Sequence, residues 1–164
     1  MKKFILFFAL FAMCLGVKAQ WENIRNAGDI YYTDIHFCNA DTGYVVGSET
    51  LTTNRGIVEK TTDGGNSWER IYIGYDIGIQ SVSFQSPDTG YICGFHHRYN
   101  IPQTNDSSYS IILKTIDGGA NWTLFMSIQN YYEEFYQIRF LSELNGIISS
   151  HEGAYYTTNG GGTW

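Results

Sequence analysis

After residue 20, apolar and polar positions alternate along this chain in short runs, none longer than an ordinary strand, and the runs come in sets that repeat. Such period-two alternation, broken by Gly, Asp, Asn and Ser, predicts half-buried β-strands joined by tight turns. The first set is Tyr32 to Cys38, Gly43 to Ser48, Gly56 to Thr62 and Ser67 to Ile73. The second is Gln80 to Gln85, Gly90 to Phe95, Tyr109 to Ile116 and Asn121 to Ser127. A third begins with Tyr136 to Leu141, Gly146 to Ser150 and Ala154 to Thr158, then reaches Trp164 without a fourth strand.

The sets share one register. TTDGGNSW at Thr61 to Trp68 returns as TIDGGANW at Thr115 to Trp122 and as TTNGGGTW at Thr157 to Trp164, with starts 54 and 42 residues apart. Four short antiparallel strands per period of this size make a propeller blade. The expected fold is therefore all-β, with about two and a half to three four-stranded antiparallel blades in blocks of about 31–74, 79–128 and 135–164. Closed propellers need about four to eight blades, and open ones leave sheet edges and apolar faces uncovered. The expectation is a fragment of a six- to eight-bladed propeller, further blades coming from the rest of a longer chain; the alternative is an oligomer of partial rings. Trp21 to Ile24 is expected to be a fourth strand detached from its first three.

Composition agrees with many strands and tight turns: 18 Gly, 13 Tyr and 10 Phe stand against two Pro. The N-terminus is set apart as a targeting segment. Lys2 and Lys3 precede an apolar run from Phe4 to Val17, and Val17-Lys18-Ala19 places small residues where a signal peptidase reads them. Residues 1–19 are expected to be a signal peptide cleaved after Ala19, since the run is shorter than the roughly 20 residues of a membrane-spanning helix. Met13 before Cys14 fits a lipoprotein signal poorly. The expected location is outside the cytoplasm: secreted, cell-surface or periplasmic, with no stable membrane insertion after cleavage. Without the leader, seven basic residues face sixteen acidic ones, a net charge of −9, which disfavours nucleic acid and anionic membrane. Cys38 and Cys93 have apolar neighbours suited to small buried side chains. His96 and His97 point to opposite faces of a strand, so no metal or other cofactor is expected.

The octapeptide has a structural rationale. Asp63 and Asp117 can accept hydrogen bonds from backbone NH groups of their own turns, Asn159 keeps an acceptor oxygen there, and the Gly pair tolerates positive φ. Trp68, Trp122 and Trp164 can bury a ring over the hairpin and donate the indole NH. The segments resemble the Asp box, SxDxGxTW, of bacterial neuraminidase repeats. The longer forms KTTDGGNSW from Lys60 and KTIDGGANW from Lys114, each preceded by FxxxxxGYxxG, are similar to the propeller repeats of the photosystem II assembly and stability factor family. The third repeat departs, with Tyr156 in place of Lys and Asn159 in place of Asp. The resemblance assigns Thr61, Asp63, Gly65, Trp68, Thr115, Asp117, Gly119, Trp122, Thr157, Asn159, Gly161 and Trp164 to structural Asp boxes between strands three and four of each blade.

The resemblance also implies that loops joining strands two and three, and one blade to the next, lie on the opposite face. Candidate ligand-binding residues there are Glu49, Arg55, Tyr75, Asp76, His97, Arg98, Tyr99, Tyr131, Tyr132 and His151. The insertion from His96 to Ser108 is longer than a connection needs, and its His, Arg and Tyr suit a peptide or a glycan. The expected function is a secreted non-catalytic scaffold or binding module for protein or glycan ligands. The alternative is part of a sialidase-like or other glycoside hydrolase propeller, which needs paired carboxylates or a Glu-activated Tyr, and for sialosides an arginine cluster. Here Arg25, Arg55, Arg70, Arg98 and Arg139 are scattered, Glu133 and Glu134 are adjacent, and the Arg-Ile-Pro motif of sialidases is missing. No catalytic residue is assigned.

Overall fold

A computed structural model describes residues 28–49, 55–96, 109–129 and 134–164. The expected leader with its expected cleavage site, and Trp21 to Ile24, lie outside these residues. Eleven strands are present among the described residues. They are β1 (Ile30–Phe37), β2 (Gly43–Glu49), β3 (Arg55–Thr61), β4 (Glu69–Gly74), β5 (Ile77–Phe84), β6 (Gly90–His96), β7 (Tyr109–Thr115), β8 (Thr123–Gln129), β9 (Phe135–Phe140), β10 (Gly146–Ser150) and β11 (Ala154–Thr157). They form three antiparallel meanders, β1-β2-β3-β4, β5-β6-β7-β8 and β9-β10-β11, each a propeller blade. One boundary differs from expectation. The octapeptide Trp does not begin the fourth strand: β4 starts at Glu69 and β8 at Thr123, so Trp68 and Trp122 close the turn.

The FxxxxxGYxxG spacing has a steric cause. Its first Gly faces the Phe across the first two strands, in the pairs Phe37↔Gly43, Phe84↔Gly90 and Phe140↔Gly146. The ring lies flat over the glycine, so a Cβ would come within 2.7, 2.6 and 2.9 Å of it, respectively. The second Gly sits beside a one-residue bulge: the register skips Thr33 in β1 and Gln80 in β5. A side chain on Gly47 or Gly94 would collide with the carbonyl oxygen of Tyr31 or Gly78.

The hydrophobic core lies between the blades. One layer, between the first two, holds Tyr44, Val46, Val58, Val82, Phe84 and Ile92. The other, between the second and third, holds Tyr91, Cys93, Ile112, Phe135, Ile138 and Ile148. The middle blade feeds both because neighbouring strand residues face opposite ways, Ile111 and Leu113 to one layer and Ile112 to the other. This explains the unbroken apolar run of β7. Cys38 and Cys93 are both free thiols, the latter buried in the second layer.

The Tyr after the first Gly joins blade to blade. Tyr44 is fully buried, stacks on Phe84 of the next blade at 3.8 Å between centroids, and donates its hydroxyl to Gly118 O at 2.9 Å. Tyr91 repeats this on Phe140 (4.4 Å) and Gly160 O (3.2 Å). In the third blade the position is Ile147, which is 45% exposed.

Candidate functional site

At one end of the blades stand the octapeptide turns. Their hub is the buried Thr61 hydroxyl, which donates to Asp63 Oδ1 at 2.8 Å and accepts from Gly65 N at 2.8 Å. Asp63 then receives Ser67 N at 2.8 Å and the Ser67 hydroxyl at 2.6 Å. Thr115 and Asp117 repeat the pattern with Asn121 in the Ser67 role; Thr157 and Asn159 repeat it with Thr163 NH donating to Asn159 Oδ1, but there the Asn159 amide donates to the Thr163 hydroxyl at 3.0 Å. The paired glycines hold positive φ in all three turns: 70° and 92°, 66° and 88°, 69° and 88°. The turns also meet the β1–β2, β5–β6 and β9–β10 turns, since Gly64, Gly118 and Gly160 NH bond the carbonyls of Asp41, Asp88 and Leu144. The indole expectation holds only for Trp68, which donates to Gly65 O at 3.1 Å. The Trp122 and Trp164 indole nitrogens are buried without an acceptor, while all three rings pack edge-on to the Phe of the motif, Trp68 to Phe37, Trp122 to Phe84 and Trp164 to Phe140.

These bonds hold both aspartates ionised. Hydrogen bonds from the Ser67 side chain and backbone, then from Thr61, lower Asp63 to about 2; Asn121 and Thr115 do the same for Asp117. A carboxylate with a depressed folded pKa stabilises the fold above its unfolded value and loses that contribution as pH falls through the folded one. Acid titration followed by circular dichroism is therefore expected to show stability lost between about pH 4 and pH 2. The Asp63→Asn, Asp117→Asn double variant should flatten that loss, and an unchanged slope would reject the assignment.

At the other end the structure brings some candidates together. Glu49 and Arg55 face one another at the open ends of β2 and β3. Arg55 lies over the Tyr75 ring at 4.6 Å and donates to its hydroxyl at 3.1 Å; Tyr75 is 59% exposed. Glu49 binds Arg70 at 3.2 Å, and Arg70 also binds the buried Glu59 at 3.1 Å, whose other oxygen takes the Tyr32 hydroxyl at 2.7 Å. Asp76 holds the tight β4–β5 turn at a positive φ of 61°. His151 belongs to the β10–β11 turn of the third blade, 3.9 Å from Glu152 and away from the Arg55 group. His97, Arg98, Tyr99, Tyr131 and Tyr132 lie outside the described residues.

Sequence reasoning missed a polar cluster on the three first strands. Arg139 of β9 makes a two-pronged ion pair with Asp34 of β1, at 2.8 and 2.9 Å, and also donates to Val82 O at 2.8 Å in β5. Ser81 Oγ donates to Asp34 at 2.6 Å, and Val82 NH donates to the same oxygen at 3.0 Å. Burial alone raises the Asp34 pKa, but bonds from Arg139, Ser81 and Val82 outweigh it and the pKa is lowered. Burial, then the Arg139 charge, lowers the neighbouring His36. All these polar groups are engaged in holding strands, so the cluster offers structure rather than a reacting group. Among the described residues no three His, Cys, Asp or Glu side chains gather to hold a metal, and no helix is long and apolar enough to cross a membrane.

A family described as "Photosynthesis system II assembly factor YCF48" matches residues 15–164. Two solved structures share the fold at 24% identity. "YCF48 bound to D1 peptide" has a TM-score of 0.62, with 83% of this chain and 40% of that one covered. "YCF48 from Cyanidioschyzon merolae" has a TM-score of 0.63, with 89% and 42% covered. The chain thus spans about two fifths of the length of these structures. No curated protein matches it.

Proposed function

Because this chain belongs to the photosystem II assembly factor YCF48 family, we propose that it is an exported, non-catalytic propeller segment that holds a polypeptide at the blade ends opposite its Asp boxes. The observation that carries this is the Arg55–Tyr75 platform, a guanidinium stacked on an exposed ring at the strand end where Arg55 pairs with Glu49. Aromatic and Arg side chains recur where polypeptides are gripped, and this guanidinium is already held by the ring on which it stacks. One of the similar structures is YCF48 bound to a D1 peptide, which supports a peptide over a glycan as the ligand class here. Export rests on the basic start and apolar run before Ala19.

The test uses the full-length chain made with its leader. A mature N-terminus at Gln20 is expected, and one still at Met1 would overturn export. On parallel peptide and glycan arrays, peptides are expected to bind. The Arg55→Ala, Tyr75→Ala double variant should weaken that binding about tenfold or more with an unchanged melting temperature. Binding to glycans alone, or turnover of a sialoside, would overturn the reading.

A further inference from the structure

Between the second and third blades, on the octapeptide side, lies a cleft of about 430 Å³ walled by Ser86, Thr89, Tyr91, Lys114, Glu143 and Asn159. Its counterpart between the first two blades is bridged: Lys60 donates to Gly118 O at 3.0 Å beside the Tyr44 hydroxyl, which also reaches Pro87 O at 3.3 Å. Lys114 is the equivalent of Lys60, yet it makes no such bond. Its ammonium is held over the rings of Tyr91 at 5.2 Å and Phe125 at 5.3 Å, with no hydrogen bond or ion pair among the described residues. Two hydroxyls share the cleft with it. Ser86 Oγ accepts from Thr89 NH at 3.0 Å, which leaves the Ser86 proton, like that of Thr89, available for donation.

We infer that this cleft binds a single carboxylate carried on an extended peptide, with Lys114 taking the charge and the Ser86 and Thr89 hydroxyls donating to it. The two rings fix the ammonium beforehand, so little side-chain freedom is lost on binding. A dianion such as phosphate fits worse: there is one cation and no guanidinium fork, Glu143 stands in the wall, and the chain carries a net charge of −6. The carboxylate can be a Glu side chain or a free C-terminus. The inference rests on the reading that the chain holds polypeptides but uses the opposite end of the blades.

The test is a nuclear magnetic resonance titration of the isotopically labelled full-length chain. Four probes are added separately: acetyl-tetraalanine with a free C-terminus, the same peptide amidated, amidated acetyl-Ala-Glu-Ala-Ala, and inorganic phosphate. Saturable shifts at the Ser86, Thr89 and Gly160 amides are expected with one or both carboxylate peptides, and the stronger of those two identifies the source. Lys114→Gln should weaken that binding about tenfold or more. The amidated tetraalanine serves the same purpose on the unaltered chain if the variant does not fold. Equal binding of the amidated peptide, tighter binding of phosphate, affinity unchanged in Lys114→Gln, or no shifts would each overturn the inference. These failures leave peptide binding that depends on Arg55 and Tyr75 untouched, so the two readings fall separately.

Discussion

Replacing Tyr44 by Ala is expected to lower the unfolding free energy by about 4 kcal/mol, measured by urea denaturation of the full-length chain. The ring is fully buried between two blades and stacked on Phe84, so its loss leaves a cavity in the layer that joins them. Tyr44→Phe keeps the ring and removes only the hydroxyl's bonds to Gly118 O and Pro87 O, and Lys60 still contacts Gly118 O at 3.0 Å. Its cost should be about 1 kcal/mol. The equivalent position in the third blade gives the control: Ile147 is 45% exposed, and Ile147→Ala should cost less than about 1 kcal/mol. If Tyr44→Phe cost as much as Tyr44→Ala, the hydroxyl and not the stacked ring would hold the blades together.

Tyr44 also marks what was legible in the sequence. The repeat exposes anything each blade does for itself, so the octapeptide turn, the Gly pair and the strand meander could all be read from spacing. Asn159 keeping its turn followed from its acceptor oxygen alone, and the structure bears that out. Contacts between blades were not legible in the same way. The Tyr44 hydroxyl meets a carbonyl 74 residues further on, and the aligned motif hides this because donor and acceptor belong to different copies of it. Thr61 shows a subtler loss. Its place in the motif was clear, but its role as the buried hub depends on a hydroxyl seated under the turn, which composition cannot reveal. The candidate rim was half legible: chain order brought Arg55 near Tyr75, while His151 went to another blade. Arg139 is the clearest omission. Counted among scattered arginines, it meets an aspartate 105 residues earlier. The one available clue was that Arg139 occupies the repeat position filled by His36 and Ser83 in the other blades.

Arg139→Met is expected to cost about 3 kcal/mol, because it strands the largely buried Asp34 carboxylate without its cation. The guanidinium ties together β1, β5 and β9, so the loss should be felt as loosening between blades rather than within one. Asp34→Asn alone should cost less, since the amide still accepts from Ser81 and Val82 NH. In the double variant the two effects should fall short of additive by about 2 kcal/mol, as expected for groups in direct contact. The pH dependence separates this account from mere loss of packing. In the unaltered chain Asp34 has a lowered pKa, so its contribution is present above the ordinary carboxylate value near 3.8 and declines as pH falls below it. Without Arg139 its bonds and charge no longer lower that pKa while burial, the largest influence, remains, so the pKa moves up relative to the unaltered chain. The folded variant then takes up its proton at a higher pH than the unaltered chain does, so its stability relative to the unaltered chain should rise as pH falls through the carboxylate range, from about 5 to about 2. Equal slopes for the two chains over that range would show that Arg139 contributes its bulk and its bonds to carbonyls, and that its charge on Asp34 adds nothing.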